Sequence, residues 1–364
     1  MTSPAANRAP IELRTAEGML SFIDGVEDRE IWIAVGMALK SEYGDSALPA
    51  WDAWSQEAAN YSAPACRSSW RGFKSTTGGG GITMGTLVKY AMLGGYTFDA
   101  QNQPKVDPGE LARRRAERSA RAAKEQAERQ ALASNAEAQA LKTWRQASRT
   151  GQSPYLERKS IDAAESVRFG AGGTLVVPMI RYDLPRENSL KGVQEIFADG
   201  SKKFTYGMAK TGVACRLGLP VVGDPVLVCE GYATGMTLRM AINRRYPVFV
   251  GFDAYSLPAV AVAVYHALPG SPIIICGDDD HGTTLKGLPN NVGRIQAQIA
   301  MESVLDIEPR AKLVTRTYPV FSRNTQRGRK DTDFNDLHRL EGLAEVSAQI
   351  ELCLDTIQTL KNYG

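Results

Sequence analysis

Apolar and polar positions follow two different spacings along this chain, and the change falls near residue 150. Between residues 16 and 96 the apolar positions recur at helical spacing, and four of the five tryptophans of the chain fall within this segment. Asp28 precedes a clear apolar stripe, in a position where an aspartate can cap a helix. The pattern predicts an all-α module over residues 16–96, with the tryptophans in its core.

Residues 97–150 are predicted to form a loop followed by a charged helical linker. From Glu110 to Arg149 the segment contains no glycine or proline, and its ten basic residues outnumber five acidic ones. This composition is typical of a solvent-exposed helix. The sequence leaves open whether these basic side chains are simply solvated or contact phosphates as an arm.

Short apolar runs replace the helical spacing after the linker. Residues 174–180 and 192–198 predict two strands, and the Asp-Gly pair at residue 199 predicts a hairpin turn into a third strand at residues 202–206. We therefore expect a small, largely antiparallel β-rich subdomain over residues 151–222.

Strands and helices alternate from residue 223 to residue 340. The predicted strands cover residues 225–229, 247–252, 272–276 and 311–316. A helical segment separates each strand from the next, which is the pattern of parallel strands joined by crossover helices. The chain thus predicts an open, mainly parallel α/β sheet with helices on both faces, followed by a C-terminal helix over residues 341–364.

Composition and charge narrow the possible chemistry. The chain has 364 residues, of which 23% are charged, and its net charge of +3 does not by itself indicate nucleic acid as a partner. Its five cysteines form no Cys-x-x-Cys pair and it has only three histidines, so we expect no zinc site. We find no signal peptide and no apolar run of about 18 residues, and therefore expect a cytoplasmic protein without membrane association.

Acidic residues stand where the predicted strands end. Glu230 follows the strand at 225–229, Asp278, Asp279 and Asp280 follow the strand at 272–276, and Asp333 and Asp336 follow a basic loop. The carboxyl ends of parallel strands are where open sheets bind ligands. Because carboxylates at positions i and i+2 of an extended segment point the same way, Asp278 and Asp280 can share Mg²⁺ ions. Each acid alone is also a common helix cap, but three adjacent aspartates repel one another unless a positive charge neutralises them.

The order and spacing of these residues resemble a known family, the Toprim domain of bacterial-type primases, topoisomerases and some nucleases. The residues that carry the resemblance are Glu230-Gly231 and Asp278-Asp279-Asp280. Phage and plasmid primases are the most similar branch, because residues 154–204 look like the segment that precedes their Toprim domain and residues 333–337 look like their late acidic motif. The N-terminal segment is similar to a helical module of mobile-element primases.

The resemblance implies a role for each candidate residue. Glu230 is expected to transfer a proton, and Asp278, Asp280 and Asp336 to bind Mg²⁺, with Mn²⁺ as the alternative. The residues expected to hold nucleotide or template phosphates are Arg181, Lys202, Lys203, Arg329 and Lys330. The residues expected to support the site are Gly231, Asp279, Asp333 and Asn335.

The implied function is a DNA primase that joins ribonucleotides into short RNA primers on a single-stranded DNA template. No Walker motif is visible, so the resemblance implies a separate helicase or replication initiator as partner. Two alternatives stay open at this point. One is a Toprim nuclease that cleaves DNA with a metal ion, and the other is a replication accessory protein that binds single-stranded DNA without catalysis.

Overall fold

The computed structural model describes residues 11–24, 26–58, 61–73, 82–97, 108–185, 187, 189–285, 288–307 and 313–362. The chain divides into two compact units, residues 1–130 and 131–364. Most of the loop predicted between the helical module and the linker lies outside the described residues. Among the described helices, none combines the length and the apolar character needed to cross a membrane.

The first unit is helical, as its apolar spacing predicts. Its helices are α1 (Leu13–Leu20), α2 (Arg29–Tyr43), α3 (Leu48–Ser55), α4 (Ala63–Gly72) and α5 (Met84–Leu93). Asp28 caps α2, because its side chain accepts hydrogen bonds from the Glu30 and Ile31 N–H groups. The sequence predicts a second helix from Leu48 to Asn60, but α3 ends at Ser55.

Trp51 lies at the centre of the core of this unit and is fully buried. Its ring centroid lies 4.4 Å from that of Trp32, 5.4 Å from that of Trp70 and 5.1 Å from that of Phe73. Helix α2 carries Gly36 where these rings pack, and a Cβ at that position would lie 2.4 Å from a Phe73 ring carbon. The prediction that tryptophans form the core of the module is therefore confirmed.

The linker is helix α6 (Pro108–Gln146), which spans the boundary between the two units. Within the second unit its last turns pack on the antiparallel sheet, where Ala140 and Ala147 join Val176 and Val193 in a small apolar cluster. The predicted helix is confirmed, and phosphate contact by its basic side chains stays a prediction.

A four-stranded antiparallel sheet follows the short helix α7 (Pro154–Arg158). Its strands, in spatial order, are β1 (Arg168–Phe169), β2 (Leu175–Ile180), β3 (Leu190–Ile196) and β4 (Lys202–Phe204). The expected hairpin joins β3 to β4, with Gly200 at φ 88°, in the left-handed region that glycine adopts without strain.

A five-stranded sheet forms the centre of the second unit. Its strands are β5 (Cys215–Leu217), β6 (Val226–Cys229), β7 (Val248–Val250), β8 (Ile273–Cys276) and β11 (Val314–Thr317), in the spatial order β11-β8-β6-β7-β5. Strands β11, β8, β6 and β7 are parallel, as predicted, and β5 pairs antiparallel with β7 at one edge. Strand β5 and a two-stranded hairpin, β9 (Thr284–Leu285) and β10 (Leu288–Pro289), were not predicted from the sequence.

Helices cover both faces of the parallel sheet, and alternate residues of β6 show this division. Leu227 and Cys229 pack in one apolar core with helices α8 (Tyr232–Ala241), α11 (Phe334–Glu341) and α12 (Leu343–Asn362). Val226 and Val228 pack in another with α9 (Leu257–Ala267) and α10 (Val292–Ile307). The carboxyl ends of β6 and β8, which bear the predicted acids, therefore meet at one edge of the sheet.

Candidate active site at the carboxyl edge of the sheet

Glu230 lies where strand β6 ends and helix α8 begins. Its carbonyl oxygen accepts a hydrogen bond of 2.7 Å from the Phe252 N–H, just after the neighbouring strand β7. Phe252 has a φ of 74°, in a region that a bulky side chain rarely adopts. Such strained residues cluster at functional sites, so this one supports a functional role for the sheet edge.

The Glu230 carboxyl is surrounded mainly by like charges. Burial raises its pKa, the carboxylates of Asp280 and Asp253 raise it further, and Lys202 partly offsets them, so that the pKa is about 7. Both protonation states of Glu230 are then populated at neutral pH. A group of this kind is suited to accept or donate a proton.

Asp278 follows strand β8 and has an oxygen without a partner. Its Oδ1 is buried and has no hydrogen-bond partner in the described part of the chain. Burial raises the pKa of Asp278 well above its usual range, and the charges of Glu230, Asp333 and Asp280 raise it further. We call these four residues, Glu230, Asp278, Asp280 and Asp333, the acidic cluster. An oxygen left in this condition costs free energy that a cation or a proton would recover.

Asp279 differs from its two neighbours because its charge is already compensated. Its Oδ1 accepts hydrogen bonds of 2.6 Å from Arg294 Nε and Asn291 Nδ2, and its Oδ2 accepts one of 2.7 Å from Arg327 Nη1. Burial alone would raise the pKa of Asp279, but these bonds outweigh it and hold the pKa below its usual range. Repulsion between adjacent aspartates therefore favours a bound cation beside Asp278 and Asp280 only, because arginines already neutralise Asp279.

Asp280 contacts the N-terminus of helix α10. Its Oδ2 accepts a hydrogen bond of 2.8 Å from the Gly293 N–H, so one of its two oxygens acts as a helix cap. The close approach requires glycine, because a Cβ at Gly293 would lie 2.4 Å from the Asp278 carbonyl oxygen. A Cβ at Gly277 would likewise lie 2.7 Å from the Ala297 Cβ. These two glycines allow α10 to pack against the end of β8.

The third acidic segment begins helix α11 with a capping box. Asp333 Oδ1 accepts a hydrogen bond of 2.8 Å from the Asp336 N–H, and Asp336 Oδ2 accepts hydrogen bonds from the N–H groups of Asp333 and Thr332. Burial and the Asp333 charge raise the pKa of Asp336, whose Oδ1 lies 3.8 Å from Lys159 Nζ. Asp333 raises the pKa of both Glu230 and Asp278, and Asp336 raises that of Asp278 to a smaller extent, so we count Asp333 as the member of this segment that belongs to the acidic cluster.

Asn335, one of the expected supporting residues, holds two elements together, whereas Gly231 makes no close contact that requires glycine. Asn335 is fully buried, and its Nδ2 donates to the Lys159 carbonyl oxygen at 2.7 Å and to Thr237 Oγ1 at 2.9 Å. It therefore joins α11 to α8. Gly231 precedes α8, and a Cβ there would make an ordinary contact of 3.4 Å with Thr234 Oγ1.

Lys202 is the predicted basic residue that the structure brings to the acidic cluster. It lowers the pKa of Glu230 and lines a cavity of about 320 Å³ beside Gly231 and Asp333. The other residues that line this cavity are Tyr155, Arg158, Lys159, Asp199, Gly200, Ala233 and Thr234. Three basic side chains in one polar cavity next to the start of a helix could hold an anionic group.

The remaining predicted basic residues do not share that cavity. Lys203 is exposed and pairs across the strands with Glu195, on the α6 face of the antiparallel sheet, because successive side chains alternate in direction. Arg181 forms a two-bond ion pair with Asp183. Arg329 donates to the Gly282 carbonyl oxygen at 2.9 Å, and Lys330 is exposed.

The donor set of the acidic cluster fits a hard divalent cation. All of its ligands would be carboxylate oxygens, and one of them is the buried, unpartnered Asp278 Oδ1. Within the described residues, no group of three or more His, Cys, Asp or Glu side chains is placed to hold a metal ion by itself. Mg²⁺ is usually bound through one or two carboxylates, with water and substrate phosphates in its remaining positions, so such a group is not required.

Three residues that matter to this site were missed by the sequence reasoning: Asp253, Arg294 and Arg327. Asp253 follows strand β7. A search for acidic residues after every predicted parallel strand would have found it. Arg294 and Arg327 carry no sequence signal for their contact with Asp279, from which they are separated by 15 and 48 residues.

Comparison with known proteins adds independent findings. Residues 16–91 match the family described as Primase C terminal 2 (PriCT-2). Two curated relatives, both DNA primase TraC of Escherichia coli, are 30% and 31% identical over 216 and 210 residues, which are 57% and 55% of this chain. The matched region covers only 14% and 19% of the length of those relatives.

Among solved structures, the primase fragment of the bacteriophage T7 primase-helicase protein is 17% identical. The similarity covers 54% of this chain and 69% of that chain, with a TM-score of 0.35, which is too low to establish a common fold. The sequence matches, in contrast, concern both the helical module and a region of more than 200 residues. They confirm the expected similarity to DNA primases, while the assignment to the Toprim family stays a prediction.

Proposed function

We propose that the chain is a DNA primase of Toprim type, which synthesises short RNA primers on single-stranded DNA. The observation that carries the proposal is the acidic cluster, with its unpartnered Asp278 oxygen, in a chain similar to DNA primases. The proposed substrates are ribonucleoside triphosphates and a single-stranded template, and a separate helicase or replication initiator is the proposed partner.

The proposed reaction joins two nucleotides. The 3′-hydroxyl oxygen of one attacks the α-phosphorus of the next, its proton passes to a base, and pyrophosphate leaves. Glu230 is the proposed base, because a pKa of about 7 allows it to be ionised before the step and protonated after it. Most of the remaining rate enhancement in such reactions comes from positioning and charge stabilisation.

We propose that one or two carboxylates from among Asp278, Asp280 and Asp333 hold Mg²⁺ together with water and substrate phosphate, and Asp336 is a further candidate. When bound, the ion would neutralise charge on the phosphates during transfer. Lys202, together with Arg158 and Lys159 of the cavity, would hold phosphate oxygens of the incoming nucleotide. Arg181, Lys203, Arg329 and Lys330 are proposed only for the template path, because they lie outside this cavity.

Primer synthesis on mixed single-stranded templates with labelled ribonucleotides tests this proposal. The wild-type chain is compared with Asp278→Asn and Glu230→Gln, with and without Mg²⁺. We expect metal-dependent oligonucleotides whose yield falls at least 100-fold in both variants, since both lose groups at the reacting centre. Nicked template without synthesis would replace the proposal with the nuclease, and metal-independent DNA binding without any product would replace it with the accessory protein.

A further inference from the structure

Arg327 lies in a basic loop, but its guanidinium is engaged with the protein itself. Its Nη1 donates to Asp279 Oδ2 at 2.7 Å, its Nη2 to the Asp279 carbonyl oxygen at 2.8 Å, and its Nε to the Asp331 carbonyl oxygen at 2.6 Å. The guanidinium also lies over the Phe321 ring, 4.2 Å from the centroid. All three nitrogens thus have acceptors, which makes Arg327 a poor candidate for binding phosphate.

The two residues that Arg327 joins are next to members of the acidic cluster. Asp279 stands between Asp278 and Asp280, and Asp331 precedes Asp333 by two residues. A backbone hydrogen bond of 2.7 Å, from the Asp279 N–H to the Thr332 carbonyl oxygen, joins the same two segments. Arg327 and this backbone bond are therefore the described contacts that tie the end of strand β8 to the start of helix α11.

The geometry of the contact requires arginine. A guanidinium presents a planar fork of donors, which here serves three acceptors on two segments at once, whereas a lysine ammonium is a point charge. Asp279 is buried, and only 18% of the Arg327 side chain is exposed. Arg294 also binds Asp279, but it donates to a single oxygen and its side chain is 48% exposed.

We propose that Arg327 is a positioning residue of the active site. Through Asp279 and Asp331 it holds Asp278 and Asp333 at a fixed separation, so that both can act on one bound cation. The inference rests on the proposed function for its catalytic consequence, but the bridge itself belongs to the fold and is measurable without activity.

Three variants separate positioning from simple charge neutralisation. Arg327→Met removes the bridge, Asp279→Asn removes one charge but leaves the two carbonyl contacts of Arg327, and the double variant removes both charges. If neutralisation were the only role, the double variant would regain most of the wild-type behaviour. If bridging is the role, the double variant behaves like Arg327→Met. Arg316→Met is the matched control, because Arg316 is exposed and, within the described residues, its side chain bonds only to the Tyr318 hydroxyl and the Met301 sulfur.

Hydrogen exchange of the full chain, measured by mass spectrometry, tests directly whether Arg327 joins the segments of Asp279 and Asp331. We expect Arg327→Met and the double variant to accelerate exchange in peptides that contain the amides of Asp279, Thr332 and Asp333, while Asp279→Asn changes them less and Arg316→Met not at all. Unchanged exchange at these amides in Arg327→Met would overturn the proposed bridge, whether or not the chain synthesises primers.

Primer synthesis measured across a Mg²⁺ titration then tests whether loss of the Arg327 bridge lowers activity and Mg²⁺ affinity. Groups that orient metal ligands typically contribute about 10–100-fold to metal affinity or activity, so we expect a loss in that range, with a higher Mg²⁺ midpoint, for Arg327→Met and the double variant. Recovery of wild-type rate and midpoint in the double variant would overturn positioning in favour of neutralisation. A wild-type chain without synthesis, but with the expected exchange pattern, would instead contradict the proposed function and leave the bridge established.

Discussion

The helical module and the carboxyl edge of the parallel sheet treat their buried polar groups in opposite ways. In the module, the ring N–H groups of Trp32, Trp51 and Trp70 donate to Ser55, to the Trp32 carbonyl oxygen and to Asp45. Among its described residues, only the Trp54 ring N–H is buried without a partner. The sheet edge instead collects carboxyls whose charges raise the pKa of Glu230 and of Asp278.

This difference indicates that the helical module is organised for stability, whereas the carboxyl edge of the sheet tolerates a loss of unfolding free energy. Buried polar groups are normally paired, because an unpaired one lowers the free energy of unfolding. A region that keeps Asp278 Oδ1 unpaired beside Glu230 is therefore best explained by a function that supplies the missing partner. Substitutions in the core of the module should lower the free energy of unfolding. Substitutions in the acidic cluster should raise the free energy of unfolding and abolish primer synthesis.

The largest expected effect on stability is in the module. Trp51→Ala removes a fully buried ring that contacts Trp32, Trp70 and Phe73, and such changes usually cost about 3–5 kcal/mol of unfolding free energy. Denaturant unfolding of the full chain, followed by tryptophan fluorescence, reports mainly on the module because four of five tryptophans lie there. Asp278→Asn is the control and should leave this transition in place. If Trp51→Ala unfolds within about 1 kcal/mol of wild type, the buried ring cluster is not what stabilises the module.

A smaller effect of opposite sign is expected for Glu230→Gln. The folded-state pKa of Glu230, about 7, is higher than that of an unfolded glutamate, so the folded chain binds more protons between those two values and its stability falls as pH rises through that window. In buffer that contains a metal chelator, the variant should be more stable than wild type at pH 8, by on the order of 1–3 kcal/mol. This gain in unfolding free energy should shrink toward pH 5. Calorimetry at both pH values measures this, and a gain that is equal at pH 5 and pH 8 would assign it to something other than ionisation.

The smallest expected effect separates two adjacent lysines. Lys202 lies in the cavity beside Gly231 and Asp333, while Lys203 faces away with Glu195. Lys202→Ala should therefore raise the KM for ribonucleotides about tenfold, the effect of losing one charged hydrogen bond worth about 1.4 kcal/mol. Lys203→Ala should raise it less. Steady-state primer synthesis at varied nucleotide concentration compares them, and equal effects would mean that the side-chain directions do not matter.

Much of the second unit could be predicted because its strands carry local signals. The apolar runs that end in Glu230 and Asp278 are long enough to identify β6 and β8, and the crossover helices predict that they are parallel. That β8 pairs directly with β6 is known only from the structure, because β7 lies between them in the chain. The alternation of side chains in β4 would also have separated Lys202 from Lys203, since Lys202 shares a face with the apolar Phe204. That inference was available in the sequence and was not drawn.

Other features depend on contacts that the sequence does not encode locally. Strand β5 has only three residues and is held by its antiparallel pairing with β7. Neither the compensation of Asp279 by Arg327 nor the stronger effect of Asp333 than of Asp336 on the pKa of Asp278 follows from spacing, because both depend on how distant segments pack. The similarity to primases was predictable because it was inferred from the order of short motifs along the chain, which can be recognised without knowing these contacts.

Thermal unfolding of wild type and Asp278→Asn, with chelator and with excess Mg²⁺, tests whether the uncompensated charge at the sheet edge is a cation site. A ligand that binds only the folded state raises its stability. We predict that in chelator Asp278→Asn is more stable than wild type, and that Mg²⁺ stabilises wild type but has little effect on the variant. If both proteins respond equally to Mg²⁺, or if the variant is less stable than wild type in chelator, Asp278 is not part of a cation site at the sheet edge.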